Sequence, residues 1–380
     1  MSTLSAEELE AYSRHLLLAD FGRAGQERLK CASVLVVGAG GLGSPTLFYL
    51  AAAGVGRIGI VDHDSVDLSN LQRQIIFSRD DIGKPKAVIA AQRLRSLNPM
   101  IVIEPHVKRL DEDNAESLLA SYDLVIDGTD NFRAKYLIND AAFFTKKPMI
   151  NGSIHQFEGQ VSVFNFMQKN ELGPNYRDLF PAPPPLNLAP NCAEAGVLGV
   201  LPGVIGAVQA NEAIKVLSGI GDILSGKLFL YDALRLRVKI LAIKKDTLNP
   251  LSGVRPTIHS LVAHEEVCRS ERVDPDTELG VEKFLEMIEK KSDFQLIDVR
   301  DVHERAISSM GGELIPLPTL KDAVHRIRRD VPVVLYCLSG KRSREGVAGL
   351  RKLGNFDNVH SLQGGLERFV ISKRASPHEQ

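Results

Sequence analysis

Short apolar runs alternate with segments of helical periodicity along the first third of the chain. This pattern predicts a helix over residues 5–30 and strands within SVLVVG, RIGIVDHD and DLVIDGTDN, with another strand near 101–106. Further helices are predicted over 44–53 and 84–97. Alternating elements of this kind favour a mainly parallel sheet with helices on both faces.

Between residues 148 and 244 the pattern changes to successive strand-like runs, MINGSI, QVSVFNF, KLFLYDAL and RVKILAI, interrupted by the proline-rich FPAPPPLNLAP, a predicted surface loop. One helix, GVIGAVQANEAIKVL, is predicted to end at Ser218 with Gly219 as a left-handed cap. A polar stretch with three prolines then predicts a linker over residues 246–276.

The last hundred residues repeat the alternation on a smaller scale. Helices are predicted over 280–290, 318–329 and 342–353, and strands within FQLIDVR, VPVVLYC and VHSL. The expected fold class is therefore α/β, with one domain over 1–245 and a second, smaller one over 277–380. A length of 380 residues agrees with two domains, because single cores rarely grow beyond roughly 250–300 residues.

Composition narrows the functional classes. A hydrophobic content of 44%, the absence of long apolar runs and a polar, acidic N-terminus favour a cytoplasmic globular protein with no membrane segment. A net charge of -1 gives no reason to expect nucleic acid or a membrane surface as partner. The cysteines are widely spaced and form no C-x-x-C pair, which argues against a disulfide framework. We interpret Cys31 as a core residue and Cys268 as a linker thiol without a role.

The segment GAGGLG, which contains Gly38, Gly40 and Gly43, stands between a strand and a helix and predicts a phosphate-binding turn. Asp62 ends the next strand, where a carboxylate hydrogen-bonds ribose hydroxyls. These features fit a nicotinamide dehydrogenase as well as an ATP-using enzyme. SNLQRQ, Lys86 and DGTDN favour ATP, because Arg73 and Lys86 can neutralise phosphates while Asp130 holds Mg²⁺.

These motifs, together with YSRH, GKPKA and CAEAGVLGVLPG, resemble the MoeB/ThiF family of adenylyltransferases, the bacterial relatives of ubiquitin-activating E1 enzymes, over about residues 5–245. The resemblance implies a Rossmann-like adenylation domain and a homodimer in which Arg14 reaches the neighbouring active site. Lys135 stands where the family often has arginine. The residues that the resemblance places around ATP are Gly41, Asp62, Ser69, Asn70, Leu71, Gln72, Arg73, Lys86, Asp130 and Asn131.

The resemblance also bears on Cys192 and on zinc. It places at Cys192 a cysteine that the activated carrier can acylate, and the thiolate would be favoured near a helix N-terminus. Many members hold zinc through two C-x-x-C pairs, whose positions correspond here to Asn175, Asp178, Asn249 and Ser252. Because these side chains cannot replace four thiolates, we expect no structural zinc site, as in the family's MoeZ-like branch.

Cys337 ends a predicted strand and opens the loop CLSGKRS, where backbone N–H groups, Lys341 and Arg342 favour a thiolate or persulfide anion. The alternative is a buried core cysteine. LIDVRD, CLSGKRS and LQGGLERF resemble a rhodanese over about residues 277–375, and the loop size suits sulfur rather than phosphate. The turn SSMGGEL lacks the histidine that rhodaneses usually carry there, which puts the local packing in doubt.

The two resemblances together imply a two-step enzyme. It would adenylate the C-terminal glycine of a ubiquitin-like sulfur carrier ending in Gly-Gly and then transfer sulfur from a Cys337 persulfide to form a thiocarboxylate, with Cys192 as a second catalytic thiol. A cysteine desulfurase or thiosulfate would reload Cys337. The carrier, of MoaD, ThiS or CysO type, stays open; molybdopterin cofactor synthesis or a related sulfur-dependent pathway is expected. A nicotinamide oxidoreductase fused to a rhodanese and a non-enzymatic carrier-binding scaffold are the alternatives.

Overall fold

The computed structural model describes residues 3–168, 170–183, 196–261, 277–354 and 356–375. Contacts divide the chain into two compact units, Met1–Glu266 and Val267–Gln380. Each unit contains its own sheet and its own buried core. The two are therefore described separately.

An eight-stranded sheet forms the centre of the first unit, in the order β10-β9-β6-β5-β4-β1-β2-β3. From β5 to β3 all neighbours are parallel, whereas β6, β9 and β10 continue the sheet in antiparallel fashion. The small β7–β8 hairpin lies apart. The strands are β1 (Ser33–Val37), β2 (Arg57–Val61), β3 (Val102–His106), β4 (Leu124–Asp127), β5 (Met149–His155), β6 (Glu158–Phe164), β7 (Met167–Gln168), β8 (Glu171–Leu172), β9 (Lys227–Asp232) and β10 (Arg237–Ala242).

Helices of this unit enclose the parallel half of the sheet. Two separate apolar clusters, one containing Leu50 and Leu94 and the other Tyr122 and Tyr136, are fully buried against the strands. This arrangement explains why the central strands are continuous Val, Ile and Leu runs. The helices are α1 (Ala6–Ala11), α2 (Ser13–Leu16), α3 (Gly22–Cys31), α4 (Gly43–Ala52), α5 (Lys86–Leu97), α6 (Ala115–Ala120), α7 (Phe132–Phe144), α8 (Tyr176–Leu179) and α9 (Leu201–Ser218).

The prediction of one continuous helix near the N-terminus was wrong. Residues 5–30 form α1, α2 and α3 rather than one helix, and Gly22 adopts φ +51°, a left-handed conformation that interrupts a right-handed helix. Cys31, predicted to lie in the core, is exposed. It lies two positions after buried Leu29, about 200° around the helix, and therefore on the outer face. The predicted cap after α9 is confirmed, since Gly219 has φ +69°.

The second unit is built on a five-stranded parallel sheet in the order β11-β15-β14-β12-β13. Its strands are β11 (Glu278–Leu279), β12 (Gln295–Asp298), β13 (Glu313–Leu314), β14 (Val333–Tyr336) and β15 (Val359–Leu362). Its helices are α10 (Val281–Glu289), α11 (Val302–Ile307), α12 (Lys341–Arg351) and α13 (Gly365–Ala375). Both sets confirm the expected smaller α/β fold.

The helix predicted over 318–329 is absent. Two 3₁₀ turns, Leu317–Thr319 and Val324–Arg326, occupy that segment. Leu320, Ala323 and Ile327 are buried at helical spacing, which is why periodicity suggested a helix. Successive tight turns that pack one side onto the core can bury residues with the same spacing, so the pattern does not by itself require a helix. Among the described residues, no helix combines the length and apolar character needed to cross a bilayer.

Candidate active site

A cleft opens in the first unit where β1, β2 and β4 end, at the carboxyl edge of the parallel sheet. This is the edge at which open α/β sheets bind ligands. The cleft brings together residues from distant parts of the chain, from Val37 to Val197. The predicted site residues that line it are Gly38, Gly40, Gly41, Asp62, Arg73, Lys86, Asp130 and Asn131.

The glycine turn between β1 and α4 has two distinct functions. Gly38 has φ +93°, and a side chain at Gly43 would place its Cβ 2.0 Å from the Gly38 carbonyl oxygen. Gly38 and Gly43 are thus required for the turn itself. Gly40 and Gly41 line the cleft, so their small size leaves the backbone open to a ligand at the start of α4. Backbone N–H groups at a helix N-terminus favour anions such as phosphates.

Asp62 follows β2 and is only 8% exposed. Its Oδ2 accepts the Ala39 N–H at 2.8 Å and its Oδ1 accepts the Asp64 N–H at 2.9 Å. Burial raises the pKa of the Asp62 carboxyl, although both amide bonds and Lys86 act in the opposite direction. A carboxylate offers about four lone-pair sites, so these bonds leave capacity for ribose hydroxyls.

The two predicted phosphate-binding cations are held in place by neighbouring groups. Lys86, nearly buried at the start of α5, donates from Nζ to Asp64 Oδ2 at 3.0 Å. Arg73 Nη1 donates to the Ser69 carbonyl oxygen at 3.0 Å. Both side chains line the cleft and so present positive charge to it.

Other members of the predicted ATP set lie outside the cleft lining. Asn70 belongs to a 3₁₀ turn, where its side-chain oxygen accepts the Asp67 N–H at 3.1 Å. Ser69 contributes its carbonyl oxygen to Arg73, while Leu71 packs against the core and Gln72 contacts Gly199. Ser69 and Asn70 thus support Arg73 through their carbonyl oxygens, and none of the four residues lines the cleft.

Arg14 is exposed on α2 and does not line the cleft of its own chain. Its expected role in a neighbouring active site stays a prediction.

A buried aspartate at the end of β4 lies beneath an exposed one in the loop that follows. Asp130 is exposed at the cleft, and Asn131 caps α7 by accepting the Ala134 N–H at 2.9 Å. Below them Asp127, fully buried, accepts from Lys135 Nζ at 2.8 Å and from Asn151 Nδ2 at 2.7 Å. An exposed carboxylate oxygen is a suitable ligand for Mg²⁺, so Asp130 fits the metal-holding role predicted for it.

Sequence reasoning missed several polar residues of the cleft. Lys108 and Arg109 follow β3, the next strand of the parallel sheet, so the rule that ligands bind at strand ends could have identified them. The remaining polar residues were adjacent in sequence to predicted ones and were not singled out. The missed charged and amide side chains are His63, Asp64, Gln74, Lys108, Arg109 and Arg133.

Cys337 directly follows β14, and its side chain is almost completely buried. The Gly340 N–H points to Sγ at 3.2 Å, and Ser343 Oγ lies 3.8 Å from Sγ. Gly340 has φ +90°, and a Cβ at Gly365 would come within 2.4 Å of the Cys337 carbonyl oxygen. Residues 337–342, which run from Cys337 into the first two residues of α12, are therefore fixed closely around the sulfur. We call this segment the persulfide loop, after the role predicted for Cys337.

Arg342, the last residue of the persulfide loop, forms an ion pair that the sequence did not indicate. Its Nη1 donates to Glu304 Oε2 at 2.7 Å and its Nη2 to Glu304 Oε1 at 2.6 Å. This pairing lowers the pKa of the Glu304 carboxyl and raises that of Arg342. The carboxylate comes from α11, 38 residues away in sequence.

The turn whose packing was in doubt, SSMGGEL, is anchored by Tyr336. The Tyr336 hydroxyl donates to the Gly311 carbonyl oxygen at 2.9 Å and accepts the Met310 N–H at 3.3 Å. Arg300 Nη2 donates to the Ser308 carbonyl oxygen at 2.7 Å. These contacts hold the turn without the histidine.

The four positions that the resemblance matches to zinc ligands lie together. Asn175 Nδ2 donates to Ser252 Oγ at 2.7 Å, and Asn249 Nδ2 donates to Asn175 Oδ1 at 3.1 Å. Asp178 accepts the Asn175 N–H at 2.7 Å and the Asp246 N–H at 2.8 Å. We call this hydrogen-bonded set the polar clasp. It joins α8 to residues more than seventy positions further along the chain.

Of the three other cysteines, Cys31 is the one that lies among the described residues, and it belongs to neither site. Cys192 and Cys268 lie outside the described residues. Cys31 is exposed at the end of α3. The predicted role of Cys192 therefore stays a prediction.

Two family models match the chain. The ThiF family matches residues 12–251, and the rhodanese-like domain matches residues 280–372. The matched segments fall in the first and second units respectively. They contain the cleft and the persulfide loop.

Similar proteins agree with both matches. The chain is 45% identical to the "Probable adenylyltransferase/sulfurtransferase MoeZ" of Mycobacterium tuberculosis, over 96% of this chain and 93% of that protein. It is 51% identical to the sulfur carrier protein adenylyltransferase of Thermus thermophilus, over 69% of this chain and 97% of that protein. Among solved structures, E. coli MccB with MccA-N7isoASN is similar at a TM-score of 0.56 and 20% identity, covering 64% of this chain and 74% of that one. At that identity the likeness concerns the fold.

Proposed function

Because the chain belongs to the ThiF family and carries a rhodanese-like domain, we propose that it activates a ubiquitin-like sulfur carrier protein and converts the carrier's C-terminal glycine into a thiocarboxylate. The chain is an adenylyltransferase and sulfurtransferase. In our proposal residues 1–245 adenylate the carrier and residues 277–380 supply the sulfur. One observation carries this: a cleft with phosphate-binding character and a cysteine in a sulfur-sized loop occur in one chain.

In the adenylation step, a carboxylate oxygen of the carrier's terminal glycine attacks the α-phosphorus of ATP and pyrophosphate leaves. Arg73 and Lys86 would stabilise the charge that leaves with pyrophosphate. Asp62 would bind the ribose, and the glycine turn would contact phosphates. Mg²⁺ held by Asp130 would offset part of the triphosphate charge.

In the sulfur step, the terminal sulfur of a Cys337 persulfide attacks the acyl carbon and AMP leaves. The product is an acyl disulfide between Cys337 and the carrier. Attack of a thiol on Cys337 Sγ breaks the S–S bond, releases the thiocarboxylate and leaves Cys337 in a disulfide with that thiol. A second thiol then breaks this disulfide and restores the free Cys337 thiol for reloading. Cys192 would provide an alternative route by accepting the acyl group first.

The partners belong to the same proposal. The carrier would end in Gly-Gly and be of MoaD, ThiS or CysO type, with molybdopterin cofactor synthesis as the expected pathway. A cysteine desulfurase or thiosulfate would reload Cys337, and Arg14 would complete the site of a second copy in a homodimer. The polar clasp would take the place of zinc.

The decisive experiment compares Cys337→Ala with wild-type full-length chain and with Cys31→Ala, an exposed cysteine away from both sites. With each candidate carrier and ATP, we expect Cys337→Ala to keep ATP–pyrophosphate exchange while the carrier shows no replacement of oxygen by sulfur in mass spectrometry. Cys31→Ala should behave as wild type.

Unchanged thiocarboxylate formation by Cys337→Ala would refute the sulfur step. Absence of pyrophosphate exchange with every Gly-Gly carrier would refute the adenylation step. Reaction with only one carrier class would identify the pathway.

A further inference from the structure

The positive charge of Arg342 at the persulfide loop is compensated by the carboxylate of Glu304. Both terminal nitrogens of Arg342 donate to Glu304, at 2.7 Å and 2.6 Å, in the two-bond geometry that gives arginine–carboxylate pairs their strength. The Arg342 and Glu304 side chains are 26% and 20% exposed, so water screens their interaction only partly. Arg342 is thus already matched by an anion before any sulfur donor arrives.

Glu304 is itself held in position. It lies in the first turn of α11, where its Oε2 also accepts the Asp301 N–H at 3.1 Å as part of a capping box. The bond to Arg342 keeps the pKa of the Glu304 carboxyl below its ordinary value. The carboxylate is therefore ionised at neutral pH, and both its partner and its helix fix its position.

This arrangement affects which donors can load Cys337. A guanidinium next to a reactive cysteine would attract small oxyanions, because its fork of N–H groups matches them in geometry and charge. Here the same fork is directed to Glu304. The Cys337 sulfur also has a neutral donor, the Gly340 N–H at 3.2 Å.

We propose that Glu304 is a positioning residue that sets the class of sulfur donor. By binding both terminal nitrogens of Arg342, it lowers the affinity of the persulfide loop for small dianions such as thiosulfate and leaves the persulfide of a thiol as the preferred donor. The inference rests on the proposed function only in requiring that Cys337 carries transferable sulfur.

The two donor reactions differ in the charge that approaches the loop. With thiosulfate, the Cys337 thiolate attacks the outer sulfur, the S–S bond of thiosulfate breaks and sulfite leaves with the electron pair. With a persulfide R–S–SH, the thiolate takes the terminal sulfur and R–S⁻ leaves. In both cases cyanide can then remove the sulfur as thiocyanate and restore the Cys337 thiolate.

Glu304→Gln in the full-length chain tests this proposal, because glutamine keeps the capping role and removes the charge. Thiocyanate formation is measured with thiosulfate, a dianion, and with the persulfide of N-acetylcysteamine, which carries at most one negative charge. We expect the KM for thiosulfate to fall about fivefold, with kcat within about twofold, because one anion next to the loop is lost. The KM for the persulfide should fall clearly less than that for thiosulfate, and the KM for thiosulfate should become more sensitive to salt.

Glu278→Gln is the matched control. Glu278 pairs at 3.0 Å with Arg344 on the same helix, α12, but comes from β11 at the far edge of the sheet. It should leave both KM values unchanged. Glu304→Asp, which keeps the charge, should stay close to wild type.

An unchanged KM for thiosulfate in Glu304→Gln would overturn the proposal. So would equal changes for both donors, or a loss of kcat alone, since these indicate a merely structural role. The proposed function fails in a different way: thiocyanate formation that survives Cys337→Ala, or absent pyrophosphate exchange, which does not involve Glu304.

Discussion

Each unit places a fully buried aspartate at the carboxyl end of a central strand, next to its reactive loop. Asp127 ends β4 below the cleft, and Asp298 ends β12 beside the strand that leads to Cys337. Asp127 gathers partners from separate segments, with Thr129, Lys135 and Asn151 all donating to it. Asp298 instead receives the backbone N–H, Nε and Nη2 of Arg300, two residues away.

The difference shows two ways of fixing a loop after a strand. In the first unit one carboxylate joins β4, α7 and β5, so the position of the cleft depends on long-range packing. In the second unit a local pair fixes its own turn and then reaches the turn at Ser308 through Arg300 Nη2. Removal of one donor to Asp127 should therefore be partly compensated by its remaining donors. Removal of Arg300, which supplies all the bonds named for Asp298, should hardly be compensated at all.

The largest effect is expected for Arg300→Met. This change leaves the Asp298 carboxylate buried without its main donor, and breaking a buried pair in this way costs about 3–5 kcal/mol. Hydrogen exchange of peptides from the second unit, followed in increasing urea, measures the loss. Arg328→Met is the control, because Arg328 pairs with Asp293 and Asp330 at the surface, and its loss should leave the stability of the second unit close to that of the wild type. Similar losses in both variants would contradict the prediction.

A smaller effect is expected for Lys135→Met in the first unit. Asp127 keeps the bonds from Asn151 and Thr129, so the loss should be about 2 kcal/mol. Exchange of peptides from the first unit gives the value. Lys135→Arg keeps the charge and should recover most of the stability. A loss as large as that of Arg300→Met would show that the extra partners of Asp127 do not compensate.

The same contrast explains what the sequence could predict. The glycine turn and the persulfide loop are contiguous segments, so their residues could be identified from motif and spacing alone. Glu304 could not be paired with Arg342, because their contact depends on β12 and β14 being neighbours in the sheet. The partners of Asp127 could not be predicted for the same reason, since Asn151 comes from a different strand.

Two errors have local physical causes. Helical spacing of Leu320, Ala323 and Ile327 suggested a helix where the backbone forms two 3₁₀ turns. Residue type alone suggested a core position for Cys31, although its place on α3 turns it outward. In both cases an expectation from residue type or spacing failed because the backbone follows a different path at that point.

The polar clasp extends the contrast, because it again joins distant segments of the first unit. Asn175→Ala removes a buried acceptor of Asn249 and a donor to Ser252, and should cost about 1–3 kcal/mol. Thermal unfolding of the full chain measures the loss. Ser252→Ala, which removes a single partner, should cost less. A metal chelator should leave the wild-type transition unchanged, and a chelator-induced drop would contradict the expectation of a zinc-free site.

The smallest predicted effect is a difference between the two units in how their stability depends on pH. The folded pKa of Glu304 lies below its ordinary 4.5, so its stabilisation is complete above that value and is lost as the pH falls through the lower, folded pKa. The contribution of Asp62 to stability depends on pH in the opposite direction. Burial raises the pKa of Asp62, so its relative stabilisation of the fold is present below pH 3.8 and is lost as the pH rises through the higher, folded pKa.

We expect the free energy of unfolding of the wild type to exceed that of Glu304→Gln by about 1 kcal/mol at neutral pH, with the difference shrinking in acid. Asp62→Asn should lose stability relative to wild type as the pH falls. Urea midpoints from pulse proteolysis of each unit test both signs, and parallel pH profiles for the two variants would contradict the contrast.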